Sequence, residues 1–224
     1  MSYYIDLSKI TIDQYKKILK QTDLLPSWKI LGENIDENLN IIIKHNINNM
    51  FDLQTALKNK KRVQEFSAQS GLSEKYLTVL RRVVNGYQPK PNNFKDFPDI
   101  SEDILIRLDA IGIKNTLQLY EEIITPECRD EFSKKTGIEI NDVLRITQFT
   151  DLSRIRWVNH TFAYVLMEAG FVTAEIIAKT EPKDLYFEVK NLNEKRKIYK
   201  ANIGVNDMKL VIESAKGLDI EIEY

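Results

Sequence analysis

Glu65-Phe66-Ser67-Ala68-Gln69-Ser70-Gly71-Leu72 recurs 66 residues later as Glu131-Phe132-Ser133-Lys134-Lys135-Thr136-Gly137-Ile138. The same offset carries Asn46-Ile47-Asn48-Asn49 onto Gly112-Ile113-Lys114-Asn115, Leu39 onto Leu105, Leu77 onto Val143 and Leu80 onto Ile146. One register held across separate segments reads as an internal repeat. A third copy follows, with Leu166-Met167-Glu168-Ala169-Gly170-Phe171-Val172-Thr173 matching Leu108-Asp109-Ala110-Ile111-Gly112-Ile113-Lys114-Asn115. Gly204-Val205 with Leu210 then echoes Gly137-Ile138 with Val143. The expected organisation is a lead-in over 1–32 and three units of one plan over 33–96, 97–150 and 151–224, the last with a C-terminal tail.

Each unit reads as helix, Gly-hydrophobic, capping residue, helix. A glycine after a helix takes the left-handed conformation, and the apolar residue behind it folds back on the last turn. Asn46 stands in for glycine because asparagine tolerates the same conformation. Ser73, Asn115, Thr173 and Asn206 are positioned to cap the next helix. Thr125-Pro126 marks another start, and Thr11 with Gln14 has capping-box spacing at the head of a helix near Ile12–Gln21. Ile104/Leu105/Leu108 and Phe162/Val165/Leu166 fall on single helical faces. The expected fold is all-α, three tandem units of short helices that bury apolar faces on one another. Tyr3-Tyr4-Ile5-Asp6-Leu7 and Leu218-Asp219-Ile220-Glu221-Ile222-Glu223-Tyr224 read as short terminal strands, able to pair together or on a partner's edge. Frayed tails are the alternative. Gln88-Pro89-Lys90-Pro91-Asn92-Asn93 reads as a linker.

Composition narrows the class. The chain has 224 residues, 43% hydrophobic and 29% charged, with 32 basic against 33 acidic side chains. Disorder requires lower hydrophobicity or a larger net charge. A single cysteine makes no internal disulfide, so a reducing, cytoplasmic setting is expected. The first residues lack a signal-peptide pattern, and no apolar run is long enough for a membrane span, so no membrane role is expected.

The helix–Gly–helix pattern resembles the helix-hairpin-helix superfamily. More narrowly, Asp151-Leu152-Ser153-Arg154-Ile155-Arg156-Trp157-Val158-Asn159-His160, with Tyr164, Leu166, Ala169-Gly170-Phe171-Val172-Thr173 and Ile177-Ala178, resembles a bacterial domain-of-unknown-function family of tandem helix-hairpin-helix-like modules. The resemblance implies a compact helical fold and brings no established reaction. In DNA-binding members of the superfamily the hairpin is Gly-hydrophobic-Gly, whose bare amides approach a phosphate. Here the matching positions are Trp157-Val158-Asn159, Asp99-Ile100-Ser101 and a stretch around Glu33-Asn34-Ile35, so the usual DNA contact is not expected.

Charge is uneven: residues 33–96 carry 10 basic and 7 acidic side chains, residues 97–150 carry 6 and 11. Lys60, Lys61 and Arg62 (beside Lys58), with Arg81 and Arg82, form basic clusters, and Lys195-Arg196-Lys197 with Lys200 forms another. They read as phosphate contacts or as solvated helix faces. Arg154, Arg156, Trp157 and His160 make the densest polar-aromatic group. It reads as a surface that stacks a base or binds a phosphate, or as an inter-helix anchor with Trp157 packed and the arginines paired to acids of the preceding unit. His45, His160 and Cys128 share no ligand spacing, so no metal or other cofactor is expected. Cys128 has no histidine at catalytic spacing, and Glu127, Asp130 and Glu131 complement a helix dipole. No phosphate-binding or nucleophile-elbow motif occurs. The expectation is therefore no enzyme, but a scaffold or adaptor for another macromolecule, protein ahead of nucleic acid. The second reading is DNA or RNA binding through the basic first unit and Arg154/Arg156. Oligomeric state is not legible in the sequence.

Overall fold

A computed structural model describes residues 2–224. The protein is helical, with 65% in helix and no sheet among the described residues. Two compact units part between Gln88 and Pro89: one is Asp6–Gln88, and the other joins Pro89–Tyr224 to the first residues up to Ile5.

The Asp6–Gln88 unit contains α1 (Ile12–Gln21), α2 (Ile35–Lys44), α3 (Met50–Ala56), α4 (Lys60–Ser70) and α5 (Glu74–Asn85). The Thr11 hydroxyl caps Gln14 N–H at 3.1 Å and Gln14 Oε1 accepts Thr11 N–H at 2.8 Å, closing the expected capping box. Its core includes Tyr15, Leu31, Leu39, Ile42, Met50, Leu53, Leu77 and Leu80.

The other unit contains α6 (Glu102–Ala110), α7 (Thr116–Leu119), α8 (Pro126–Thr136), α9 (Ile140–Ser153), α10 (His160–Glu168), α11 (Ala174–Lys179), α12 (Pro182–Arg196) and α13 (Val205–Lys216). α9 is its spine, carrying Val143, Ile146, Phe149 and Leu152 into the core, and α8 and α10 both pack on it. Thr125 caps α8 with Pro126 in the first turn, and Ser73, Asn115 and Thr173 cap α5, α7 and α11. Asn206 does not cap: α13 starts two residues earlier than that cap would place it, behind Gly204, whose N–H is taken by Asp207 Oδ2 at 2.7 Å.

Left-handed residues punctuate both units on one scheme. Asn46, Gly71, Gly112, Gly137 and Trp157 have φ between +63° and +80°, and each is followed by a buried residue: Ile47, Leu72, Ile113, Ile138 and Val158. A helix begins two or three residues further on. The turns at Gly71 and Gly137 share their bonds. Ser67 Oγ donates to Leu72 O at 2.6 Å and Ser133 Oγ to Ile138 O at 2.6 Å. Ser70 Oγ and Thr136 Oγ1 donate to Phe66 O and Phe132 O.

The segments leading into α3 and α7 are tied alike. Met50 N–H donates to Ile10 O at 2.9 Å and Thr116 N–H to Asn92 O at 3.0 Å, each as half of an isolated antiparallel bridge. At the head of α11 a side chain takes over: Ala174 N–H donates to Asp151 Oδ2 at 2.9 Å.

The termini correct the sequence reading. Among the described residues, neither 3–7 nor 218–224 forms a strand, and both segments are packed rather than frayed. Tyr3 and Ile222 are buried, and Glu223 N–H donates to Ile124 O at 2.9 Å. The alternation in 218–224 places Leu218 and Ile222 inward against helices, with no strand beside them to continue a ladder.

Candidate macromolecule-binding site

Of the residues singled out in the sequence, the turn between α9 and α10 holds four, and the structure divides them. Arg154 is 2% exposed. Its Nη1 donates to Asp151 Oδ1 at 3.1 Å, its Nε to Tyr3 O at 3.2 Å and its Nη2 to Asp219 O at 2.7 Å. The guanidinium lies 4.9 Å from the centroid of the Tyr120 ring. This is an anchor. Its acid is Asp151, three residues before it, and not one from an earlier part of the chain.

Asp151 is buried too, and burial pushes its carboxyl above the ordinary range against the opposing pull of Ala174 N–H, Arg154 and the Tyr224 hydroxyl. Burial and the Asp151 charge likewise push the Tyr224 hydroxyl up. Isolated charges in this position would be prohibitively desolvated, and the three bonds from Arg154 and the three to Asp151 offset that cost.

Trp157 behaves differently. It is 42% exposed, and its backbone sits at φ +78°, a region in which a bulky residue costs about 1–2 kcal/mol. The Arg156 guanidinium stacks 4.5 Å from the indole centroid, while Arg156 N–H donates to Ser214 Oγ at 2.9 Å. Trp157 is thus not packed into the interior. It lines a groove of about 380 Å³ together with Pro89, Lys90, Pro91, Asn92, Asn93, Asp96, Val158, Asn159 and His160.

Both walls are fixed from behind. Asn92 Nδ2 donates to Ser153 Oγ at 2.8 Å, joining the proline segment to the end of α9. The Asn159 side chain accepts Phe162 N–H at 2.9 Å and starts α10, and the half-buried His160 ring stands edge-on to Phe97 at 6.3 Å. Pro89–Asn93, which the sequence presents as a linker, is therefore a wall of the groove. Its signal was composition alone, and composition does not distinguish a free linker from an extended segment tied down at one edge.

The other candidates lie in the Asp6–Gln88 unit. Lys60, Lys61 and Arg62 are exposed in the first turn of α4, with Lys61 and Arg62 3.9 and 3.8 Å from Glu65. Arg81 and Arg82 fall toward the end of α5, Arg81 half-buried and Arg82 exposed. Cys128 is half-buried. Among the described residues no group of three or more His, Cys, Asp or Glu side chains is placed to hold a metal ion, and no helix is long and apolar enough to cross a membrane.

Sequence reasoning passed over Arg129, Tyr120, Tyr224 and the role of Asp151. The Asp151–Arg154 spacing of three on a helix was a usable signal for an ion pair. The aromatic residues around it come from distant parts of the chain and gave none.

Residues 98–218, more than half of the chain, match the model of a domain of unknown function, DUF4332. The chain belongs to the DUF4332 family. The DUF4332 match contains α6 to α13, the Asp151–Arg154 pair and the Trp157–His160 wall of the groove. The Pro89–Asn93 wall and the tail from Asp219 onward lie outside it. No curated protein and no solved structure matches the chain.

Proposed function

We propose that this DUF4332 protein is a non-catalytic scaffold that binds another macromolecule, a protein, in the groove beside Trp157. The observation that carries the reading is Trp157 itself. Asn46, Gly71, Gly112 and Gly137 occupy comparable left-handed positions with the two residue types that bear them at low cost. Trp157 accepts backbone strain and keeps a large apolar ring 42% exposed beside the Arg156 guanidinium. Strain kept at an exposed position is the signature of a site, and tryptophan is among the side chains that dominate protein interfaces. The shared turn scheme further supports reading the chain as three tandem helix-hairpin-helix-like units, with Trp157-Val158-Asn159 a modified hairpin.

The test is Trp157→Gly, which removes the indole and relieves the backbone. Nuclease-treated lysate passed over wild type and variant is expected to yield a protein retained by the first and lost from the second. Identical recoveries from both would overturn the groove as the binding site.

A second reading, nucleic-acid binding, rests on the three exposed cations Lys60, Lys61 and Arg62 in one turn of α4. It predicts duplex or single-stranded DNA binding that weakens steeply with salt and disappears in a Lys60→Glu/Lys61→Glu variant. Arg154 has its donors committed internally and plays no part in it.

A further inference from the structure

The tail after α13 lies in a slot of charged and aromatic side chains that also have partners outside the tail. Arg129 is 5% exposed and held by a bond from its Nη1 to Ile123 O at 3.0 Å. Asp151 is held by Ala174 N–H and by Arg154. Arg154 is held by Tyr3 O and the Tyr120 ring.

Onto these walls the tail adds a small set of polar contacts. Asp219 O accepts from Arg154 at 2.7 Å. The Glu221 carboxylate accepts Tyr120 Oη–H at 2.7 Å and Ser2 N–H at 3.0 Å. Tyr224 Oη donates to Asp151 Oδ2 at 3.2 Å while its ring lies 5.7 Å from the Arg129 guanidinium. Beyond Leu218 only Ile222 is buried, whereas Ile220 and Tyr224 are each half exposed. The tail is therefore bound much as a peptide ligand is bound: one apolar side chain inserted, one carbonyl clamped by an arginine, one phenol matched to a carboxylate. Arg129, Asp151 and Arg154 each keep a partner outside the tail, which limits the ordering needed to fill the slot. When the tail leaves, water reaches an ion pair whose burial is costly, which offsets part of the loss.

We propose that Arg129, Asp151 and Arg154 form a receptor for an extended, tyrosine-bearing peptide, and that the chain's own residues 219–224 occupy it as a releasable strap. This inference is independent of the Trp157 groove, because it uses different residues and a different ligand. The strap and an external segment of the same chemistry compete for one slot, so weakening the strap strengthens binding of the competitor.

The experiment uses the full chain and a fluorophore-labelled synthetic peptide with the sequence of residues 218–224, followed by anisotropy. Tyr224→Ala is expected to bind the peptide about tenfold more tightly than wild type, since its own strap is weakened. A peptide with phenylalanine in place of its tyrosine is expected to bind more weakly than the parent. Equal affinities for wild type and variant, or no binding by the variant at about 1 mM peptide, would overturn the receptor. Hydrogen exchange on the unmodified chain gives a second reading that needs no variant. The Ile222 and Glu223 amides are expected to exchange well before those of α9, and equal protection of the two would show that the tail belongs to the core.

Discussion

Trp157 and Arg154 stand three residues apart in one turn and invert what their residue types would suggest. The charged side chain is the interior piece, and the aromatic one faces water. Arg154→Ala would leave the Asp151 carboxylate buried without its ion-pair partner, so we expect a loss of about 3–5 kcal/mol in urea unfolding. Asp151→Asn together with Arg154→Met removes both charges and should be milder than Arg154→Ala alone. A double variant as unstable as the single one would show that the bonds to Tyr3 O and Asp219 O matter more than the charge pairing. Trp157→Gly has the opposite sign. Relief of the positive φ should leave thermal stability unchanged or raised by about 1 kcal/mol, offset in part by the lost stacking with Arg156. A clear drop in melting temperature would mean that the indole contributes to the fold, against its reading as a binding residue.

Among the elements, the helix pairs α4–α5, α6–α7 and α8–α9 turn on glycines whose conformation any side chain would strain. At Gly112 a Cβ would meet nothing within 4 Å, so Gly112→Ala isolates the backbone cost, about 1–2 kcal/mol. At Gly137 a Cβ would lie 2.7 Å from Arg107 Nη1, which donates to Thr136 O. Gly137→Ala should therefore cost more than Gly112→Ala, by displacing Arg107 from that carbonyl. Thermal unfolding of the two variants side by side checks the ordering.

These turns were the most legible part of the chain. The Gly-hydrophobic-cap grammar is local: it depends on which residues tolerate positive φ and which side chains reach an orphan amide, and both are properties of a few adjacent residues. Asn206 failed as a cap because Gly204 and Asp207 offered a competing start two residues earlier. The terminal segments failed for a different reason. Alternation reports that one face is buried, but whether a strand or a helix lies against it depends on residues far away in the sequence.

At the scale of the molecule, an ion network ties α6's leading segment, α9, α10 and α12 together. Arg145 pairs with Asp99 and with Glu168 at 3.1 Å, and Glu168 also pairs with Arg196. Partial burial alone would raise the Glu168 carboxyl, but the bonds from Arg196 and Arg145 hold it below the usual carboxylate range. A depressed folded-state pKa contributes stability above the ordinary carboxylate range and loses it as pH falls through the folded value. Glu168→Gln should accordingly be destabilising at neutral pH, by less than about 1 kcal/mol for so exposed a network, and nearly neutral once the wild-type carboxyl is protonated. Urea midpoints of the two proteins across that acid range should converge, and parallel curves would show that the pairing contributes nothing.

The sequence by itself determined the helical class, the positions of the left-handed turns, most of the caps and the helix at Ile12–Gln21. All of these follow from backbone sterics and short-range hydrogen bonding. It also marked Arg154, Arg156, Trp157 and His160 as a group worth attention. Only the tertiary structure decided where each member sits, Arg154 inside and Trp157 at the surface. Which side of a turn is buried, whether Pro89–Asn93 is a linker or a wall, and how Asp151 comes to meet Tyr224 and Ala174 all depend on segments brought together by packing of the core, and pairings across such distances leave no periodicity to read.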